Sequence, residues 1–307
     1  MQVASRGGAE TFPLVPRGRL VGVSYGPLRS VRRGSGSDVA GSRAYRSGDD
    51  VDLIDWAASA RLSSALGRDE FVVRELHAEE APRVVVLADR SPSLALYPEP
   101  LPWLRKWRAL EEAVAVVTAS ALAARSFPGY LDYGEGDAYW RSPRGGRAAV
   151  AEEPRTGFAA PPGSVTAGLV HLAQLRPAPP VGTFLFVLSD FLDPPPTEAW
   201  YDALERGWDL VPVVIQDPLW ERSFPDVAGV VLPLVEAGGG RPRLVRLTRR
   251  EVVSRRDANE GRFASLRATF EELGVEPVVL ESHERAAVAQ AFLDWADDRV
   301  AARGRGR

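Results

Sequence analysis

The 307-residue chain contains no cysteine, and it has only three histidines and one lysine. The absence of cysteine excludes disulfides, thiolate zinc sites, iron–sulfur clusters and cysteine nucleophiles. His77, His171 and His283 are far apart in the sequence, which argues against a metal site built from histidines. Lys106 is the one lysine among 38 basic residues. We attribute this bias towards arginine to GC-rich coding, so arginine clusters are interpreted as solvated surface.

Charge and hydropathy exclude two further classes of protein. The 41 acidic side chains outnumber the 38 basic ones and the net charge is −3, so the whole chain has no electrostatic preference for nucleic acid. The longest apolar run covers residues 113–124 and is shorter than the roughly 18 residues that a membrane span needs. Residues 1–15 lack the apolar core of a signal peptide. We predict a soluble, cytoplasmic protein without a membrane span or a nucleic-acid partner.

Apolar strands alternate with helical segments from residue 82 onwards. This alternation predicts an α/β domain with a doubly wound, Rossmann-like and mostly parallel sheet that is covered on both sides. The alternation lapses over 217–256, where 227–248 is expected to form a hairpin added to that sheet. The predicted divisions are a flexible arm (1–14), a small extended or β unit (15–80), the α/β domain (81–302) and a solvated tail (303–307).

Three loops carry carboxylate and hydroxyl groups at the predicted carboxyl edge of the sheet. One follows the strand RVVVLA, one precedes the helix that starts near residue 165, and one follows the strand TFLFVL. Ligands of open α/β sheets bind at this edge. Carboxylate and hydroxyl oxygens suit a hard divalent cation such as Mg²⁺ or Mn²⁺. The alternative is that Asp89 and Ser93 only cap the loop and helix. The candidate metal ligands are Asp89, Ser91, Ser93, Ser164, Thr166 and Asp190.

The loop Asp89-x-Ser91-x-Ser93, followed by a later hydroxyl and a later aspartate, resembles the metal-ion-dependent adhesion site of von Willebrand factor A domains. The resemblance implies a von Willebrand factor A-like fold. Ser164 falls where that family has a metal-binding threonine, with Thr166 as the competing choice, and Asp190 matches the third loop. Arg90 departs from the pattern, because a guanidinium inside the loop competes with a cation.

An upstream segment contains an Arg-x-Tyr at 43–45, a Gly-Asp-Asp turn at 48–50, an Ile-Asp-Trp at 54–56 and a Ser-Ala-Arg at 59–61. This pattern resembles the signature of the domain-of-unknown-function 58 family. Members of this family often accompany MoxR-type AAA+ ATPases. The resemblance implies a protein-binding partner of such an ATPase in assembly or chaperone-like work. The signature residues are expected either to hold the small unit together, through ion pairs and buried aromatic rings, or to bind the partner. They are Arg43, Tyr45, Gly48, Asp49, Asp50, Asp55, Trp56 and Arg61.

The alternative function is a metal-dependent hydrolase or phosphatase that uses the same Asp and Ser loops. A haloacid-dehalogenase-like phosphatase needs a second aspartate two residues after the first, where this chain has Ser91. It also needs a lysine, and Lys106 is the only candidate. Neither a Gly-x-Ser-x-Gly motif nor a Walker loop is present. We therefore expect a protein without catalytic activity of its own.

Overall fold

The chain divides into two compact units. Residues 18–82 form the smaller unit, and residues 1–17 together with 83–307 form the larger one. The smaller unit is therefore inserted, in sequence, into the larger. The turn predicted at residues 47–50 lies outside the residues that the structure describes. The computed structural model describes residues 10–17, 39–45, 54–68, 70–76, 82–96, 104–143, 157–234, 241 and 243–305.

The smaller unit contains an antiparallel strand pair and one helix among its described residues. Its elements are β1 (Val39–Ala44), α1 (Trp56–Leu66) and β2 (Val72–Leu76). Asp55 caps the helix by accepting a 2.9 Å hydrogen bond from the N–H of Ala58. The buried hydroxyl of Ser59 accepts from the N–H of Val72 at 2.8 Å. This bond ties α1 to β2, so the unit is not purely extended.

The larger unit alternates strands and helices, as the sequence predicts. Its strands are β3 (Val84–Ala88), β4 (Gly129–Asp132), β5 (Tyr139–Arg141), β6 (Phe184–Ser189), β7 (Asp209–Ile215), β8 (Val231–Leu234), β9 (Arg243–Arg246) and β10 (Val278–Leu280). Its helices are α2 (Lys106–Ala123), α3 (Ser164–Gln174), α4 (Thr197–Glu205), α5 (Arg249–Glu272) and α6 (Arg285–Arg305). Six strands form one sheet in the order β10-β7-β6-β3-β4-β5, parallel except for the edge strand β5. The predicted α/β class with a mostly parallel sheet is confirmed.

Helices flank this sheet. The central strands β3 and β6 are buried along their whole length, which explains their continuous apolar sequences. On one face, Val85 and Leu87 pack in a cluster with α3, α4 and α5. On the other face, Phe186 meets Phe292 of α6. Gly168 allows α3 to approach β3 closely, because a Cβ there would come within 2.5 Å of a Leu87 methyl carbon.

The segment 10–17 is packed into the larger unit. Phe12 is 4% exposed, and its ring stacks on that of Phe292 with 4.7 Å between the centroids. It also meets Phe186 and Trp295 edge-on. The predicted flexible arm is therefore wrong from residue 10 onwards, because this part of it contributes an aromatic ring to the core. Residues 1–9 lie outside the described residues.

The hairpin β8–β9 exists, but it forms a separate two-stranded sheet and is not added to the main sheet. Leu232 and Val245 pack against a small satellite core of Phe224, Leu247 and Val252. The apolar side chains of the hairpin are buried against this satellite core, so the hairpin buries them without joining the main sheet.

Two helical segments differ from the prediction. Helix α5 was not predicted, because Val252, Leu266 and Phe270 are its only buried residues and no apolar stripe recurs along it. Helix α6 continues to Arg305, so the tail expected from residue 303 is helical over its first three residues.

Candidate metal centre

The register of β3 and β6 brings two of the predicted loops side by side. Ala88 pairs with Leu188, so Asp89 and Ser189 leave the two strands at the same level. The N–H of Asp89 still donates to the carbonyl of Leu188 at 2.8 Å. The order of strands along the chain reverses between β3 and β6. Open α/β sheets bind ligands at such a switch point.

Asp89 lies at the centre of a cluster of hydroxyl groups. Its Oδ1 accepts from the N–H of Ser91 at 2.9 Å and from the Ser91 hydroxyl at 2.5 Å. The Ser164 hydroxyl lies 3.5 Å from the same oxygen. Oδ2 accepts a 2.6 Å bond from the hydroxyl of Ser189. Four oxygen-bearing side chains from three loops therefore converge on one point.

The start of α3 shows which of the two candidate hydroxyls, Ser164 or Thr166, lies next to Asp89. Gly163 precedes the helix with φ 73°, a left-handed conformation that favours glycine. Ser164 follows as the first helical residue and is 3% exposed, next to Asp89. Thr166 lies one half-turn further on and does not line the cavity described next. The cavity has a volume of about 200 Å³ and is lined by five of the six predicted ligands, namely Asp89, Ser91, Ser93, Ser164 and Asp190.

Asp190, the acid of the third loop, is paired with a lysine. Nζ of Lys106 lies 2.8 Å from Asp190 Oδ2 and 2.5 Å from Glu221 Oε1, and Lys106 is 0% exposed. Burial opposes the charge on Lys106, but the carboxylates of Asp190 and Glu221 outweigh burial and raise its pKa. Lys106 is therefore a buried ammonium ion that neutralises part of the acidic charge at this edge.

Backbone N–H groups hold the neighbouring acids Asp217 and Glu221 in place. Asp217, which follows β7, accepts from the N–H groups of Leu104, Leu219 and Trp220 at 2.8–2.9 Å. The second oxygen of Glu221 accepts from the N–H of Asp217 at 2.9 Å. These bonds fix the loop after β7 against the start of α2.

Sequence reasoning missed several residues of this site. The sequence held a signal for three of them. Gln216 and Asp217 follow β7 at the same sheet edge, and Lys106 is the only lysine of the chain. Ser189 directly follows the apolar run TFLFVL but is not among the predicted ligands. The missed residues are Lys106, Ser189, Gln216, Asp217 and Glu221.

Arg90 does not engage the carboxylate of Asp89. Its Nε lies 3.3 Å from the hydroxyl of Tyr130 and 3.6 Å from Asp132 Oδ2. Its guanidinium carbon lies 5.1 Å from the centre of the Phe158 ring. The arginine inside the predicted metal loop therefore pairs with Asp132 and does not compete with a cation at Asp89.

Asp89 differs from the other buried acids in its partners. Six carboxylates are buried in the described part of the chain, and four of them contact an arginine or a lysine. Asp217 receives three backbone N–H groups, whereas Asp89 receives one and otherwise contacts hydroxyls. Burial and the charge of Asp190 raise the pKa of Asp89, and hydrogen bonds from Ser189 and Ser91 oppose that rise. Among the described residues no arginine or lysine contacts Asp89, so its carboxylate would lack a counter-charge when ionised.

This donor set fits a hard divalent cation. The cavity is lined by three carboxylates, from Asp89, Asp190 and the exposed Asp193, and by three neutral hydroxyls, from Ser91, Ser93 and Ser164. Within the described residues, no group of three or more histidines or acids could hold a metal ion. A metal would therefore depend on Asp89 and the hydroxyl oxygens.

The signature residues of the smaller unit have several roles. Asp55 is the N-cap of α1. The rings of Tyr45 and Trp56 contact Phe71 edge-on, but they are 38% and 63% exposed, so they bury less area than the sequence reading expected. Arg61 is exposed and donates to a carbonyl of its own helix. Arg43 lies in β1, whereas Gly48, Asp49 and Asp50 lie outside the described residues.

Fold and site together define an α/β protein whose oxygen-lined cavity lies at the carboxyl edge of a mostly parallel sheet. The chain belongs to the family described as protein of unknown function DUF58, whose model matches residues 41–261. The predicted family is confirmed. No curated protein matches the chain.

Solved structures that are similar to parts of the chain include two from Bacteroides species. One is an aerotolerance-related membrane protein from Bacteroides fragilis with multiple mutations to serine, at 14% identity and a TM-score of 0.31, covering 63% of this chain and 99% of that one. The other is the conserved hypothetical protein BatB from Bacteroides thetaiotaomicron, at 13% identity and a TM-score of 0.35, covering 71% and 100%. Neither similarity carries an argument at these TM-scores. In the described part of the chain, none of the helices has the length and apolarity that crossing a membrane requires.

Proposed function

We propose that this protein is a non-catalytic interaction module that binds one divalent cation, Mg²⁺ or Mn²⁺, at Asp89. The observation that carries the proposal is a buried carboxylate that is surrounded by hydroxyls and contacts no lysine or arginine side chain in the described part of the chain. An uncompensated buried charge is unfavourable, and proteins relieve it by pairing or by metal coordination. Ser91, Ser93 and Ser164 supply the neutral oxygen ligands that these ions accept.

The larger unit is proposed to be a von Willebrand factor A-like domain. Its strand order, with the first strand central and the reversal beside it, supports this assignment. The positions of Asp89, Ser91 and Ser93 after that first strand and of Ser164 in the second loop support it as well. In the family that these loops resemble, such a set of oxygens forms a metal-ion-dependent adhesion site.

Lys106 influences what the bound ion can do. Lys106 pairs with both Asp190 and Glu221 and so neutralises part of the acidic charge near the cavity, whereas Asp89 contacts no lysine or arginine among the described residues. A divalent ion held there keeps a net positive charge, which the neutral hydroxyls do not reduce. An acidic side chain of a partner can then complete the coordination through a charge-assisted contact. The family resemblance points to a MoxR-type AAA+ ATPase as that partner.

Calorimetry on chelator-stripped protein tests the metal site. Titration with Mg²⁺ or Mn²⁺ is expected to give a saturable heat with one site, which Asp89→Ala abolishes. Ser164→Ala is expected to weaken binding about tenfold or more. Thr166→Ala, the matched control on the same helix, leaves it unchanged. If the folded wild-type protein takes up neither ion at millimolar concentrations, the proposal is wrong.

One observation favours the catalytic alternative: Lys106 lies at the same sheet edge as Asp89. Two other observations oppose it. Its ammonium is 0% exposed and held between Asp190 and Glu221, and Ser91 replaces the second aspartate that such a phosphatase needs. The stripped and metal-loaded samples are therefore expected to show no turnover of phosphatase, esterase or peptidase substrates above background. Metal-dependent turnover that is lost in Asp89→Ala would establish an enzyme instead.

A further inference from the structure

A second cavity, with a volume of about 290 Å³, lies at the opposite edge of the main sheet from Asp89. Arg83 and Thr183 directly precede the parallel strands β3 and β6, and Ser142 follows the antiparallel strand β5, so all three lie at the amino edge of the sheet. The length of β3 separates Arg83 from Asp89 by roughly 20 Å. We call this site the amino-edge cavity, and its lining includes Arg83, Val85, Trp140, Leu175, Arg176 and Thr183.

One side of the amino-edge cavity is aliphatic and aromatic. Val85 belongs to the core cluster beneath α3, and Trp140 and Leu175 pack against that cluster while remaining partly exposed. The ring of Trp140 lies against the start of β4, because Gly129 there has no side chain. A Cβ at Gly129 would come within 2.9 Å of a ring carbon of Trp140. This side offers contact area to the carbon body of a ligand.

The loop between α3 and β6 forms a rigid wall of the cavity. Three of its lining residues, Pro177, Pro179 and Pro180, have a fixed φ and no N–H. The indole N–H of Trp208 donates to the carbonyl of Pro179 at 2.9 Å, and the hydroxyl of Thr183 donates to the carbonyl of Pro180 at 2.7 Å. The wall is therefore formed before any ligand binds, as is usual for small-molecule sites.

The charge of the cavity is positive. Arg83 and Arg176 are part of its lining, which contains no aspartate or glutamate, and in the described part of the chain neither guanidinium contacts a carboxylate. Nη1 of Arg176 donates to the carbonyl of Leu175 at 2.9 Å at the end of α3, while its Nε and Nη2 have no partner among the described residues. The end of the helix adds only about half a negative charge. Two positive charges thus border a cavity that has no acid to neutralise them.

We propose that the amino-edge cavity binds a small organic acid, in which a carboxylate is attached to an aromatic or aliphatic body. Guanidinium groups bind carboxylates through paired, charge-assisted hydrogen bonds, which assigns the acid group to Arg83 and Arg176. The body then contacts Trp140 and Val85. The volume lies just below the range of sites for drug-sized ligands, so the ligand is small.

The donors of the cavity favour a carboxylate over a phosphate. Proteins commonly hold phosphate with backbone N–H groups, at the start of a helix or in a turn. The amino-edge cavity has instead the end of α3 and a wall of prolines, and the proton of the Thr183 hydroxyl is already donated to Pro180. The side-chain donors left are the two guanidinium groups and the hydroxyl of Ser142. They match the two oxygens of a carboxylate better than the larger, more highly charged phosphate.

Nuclear magnetic resonance on ¹⁵N-labelled protein tests the proposal with 3-phenylpropionate as the probe. The chain has eight tryptophans, and Trp140→Phe identifies the indole N–H signal of Trp140. The full chain is used in excess chelator, so that the result does not depend on metal at Asp89. The Trp140 signal is expected to shift with a Kd of about a millimolar or below. Arg83→Gln and Arg176→Gln are each expected to raise the Kd about tenfold, whereas Arg267→Gln, at an exposed position of α5, leaves it unchanged.

Matched probes separate recognition of the acid from apolar or general anion binding. The neutral 3-phenylpropanamide is expected to bind at least tenfold more weakly, and inorganic phosphate to leave the Trp140 signal in place. A pentapeptide that ends in phenylalanine carries the same acid group, so the tighter binder of the two shows whether the source is a free acid or a chain terminus. The proposal is overturned if the amide or phosphate binds as tightly, if Arg267→Gln weakens binding as much as Arg83→Gln, or if the acid leaves the signal unshifted at about 10 mM. The other indole signals confirm that each variant is folded.

Discussion

Lys106 shows how a single position can retain lysine in a chain that otherwise uses arginine. Its ammonium group lies at 0% exposure between Asp190 and Glu221. An ammonium is compact and can orient its three donors freely, whereas a guanidinium is larger, planar and fixed in geometry. An enclosed, closely packed site has no space for the additional atoms. The geometry therefore accounts for lysine at this position.

Substitutions at Lys106 test this interpretation through the free energy of unfolding, measured with urea. Lys106→Met is expected to lower it by about 3–5 kcal/mol, because Asp190 and Glu221 lose their buried counter-charge. Lys106→Arg is expected to lower it by about 1–3 kcal/mol through overpacking. Adding Glu221→Gln to Lys106→Met should restore part of the loss, since one buried charge is removed. A Lys106→Arg protein as stable as wild type would contradict the steric explanation.

The residues at and beside the cavity differ in how readily the sequence predicts that they lie together. Asp89, Ser91 and Ser93 lie within one loop directly after a strand, so their convergence follows from the strand alone. Lys106 is separated from Asp190 by 84 residues and from Glu221 by 115. No local spacing connects residues that distant, and the packing of α2 against the sheet brings them together. The choice between Ser164 and Thr166 likewise depends on the exact start of α3.

Among the elements, α5 is a long helix without a continuous apolar face. It begins with a reciprocal capping box, in which the Thr248 hydroxyl accepts from the N–H of Glu251 and the Glu251 carboxylate accepts from the N–H of Thr248. These bonds satisfy N–H groups that otherwise have no partner at a helix start. The bonds to the backbone and hydroxyl of Thr248 lower the pKa of Glu251. The ionised carboxylate is therefore the form that the folded helix favours.

Thr248→Ala is expected to lower the free energy of unfolding by about 1 kcal/mol at neutral pH. Glu251→Gln should also destabilise the protein at neutral pH. Because the pKa of Glu251 is lowered in the folded state, its contribution is present above the ordinary value of 4.5 and is lost as the pH falls through the lower folded value. Urea unfolding at pH 7 and pH 3 measures both. Thr269→Ala, near the other end of α5, is the control and should show no such pH dependence.

The alternation of strands and helices in the larger unit could be predicted because each buried strand is a short apolar run between helical segments. The antiparallel direction of β5 could not, since three partly buried residues at a sheet edge carry no directional pattern. Helix α5 was missed because sequence reading relies on apolar periodicity, and most of its surface is polar. The Thr248–Glu251 cap was present in the sequence, but no apolar stripe followed it.

At the scale of the whole molecule, long-range contacts close the larger unit around its first segment. Arg299 of α6 contacts Asp209 at 3.0 Å and donates to the carbonyl of Val15 at 3.0 Å, across 284 residues of sequence. The N–H of Arg17 donates to Asp209 at 2.8 Å. The segment that precedes the inserted smaller unit is therefore fixed within the larger one. Such contacts explain why an arm that looked loose in the sequence is part of the core.

The final prediction concerns the metal as a bridge to a partner protein. In a pull-down with a purified MoxR-type ATPase, retention is expected in magnesium and at least tenfold weaker in excess chelator, because a partner carboxylate needs the open position of the ion. Ser91→Ala/Ser93→Ala should weaken retention as strongly in magnesium, whereas Thr166→Ala should leave it unchanged. Retention that survives both the chelator and the double serine substitution, in protein shown to be folded, would refute the metal bridge and would leave the α/β fold and the family membership unaffected.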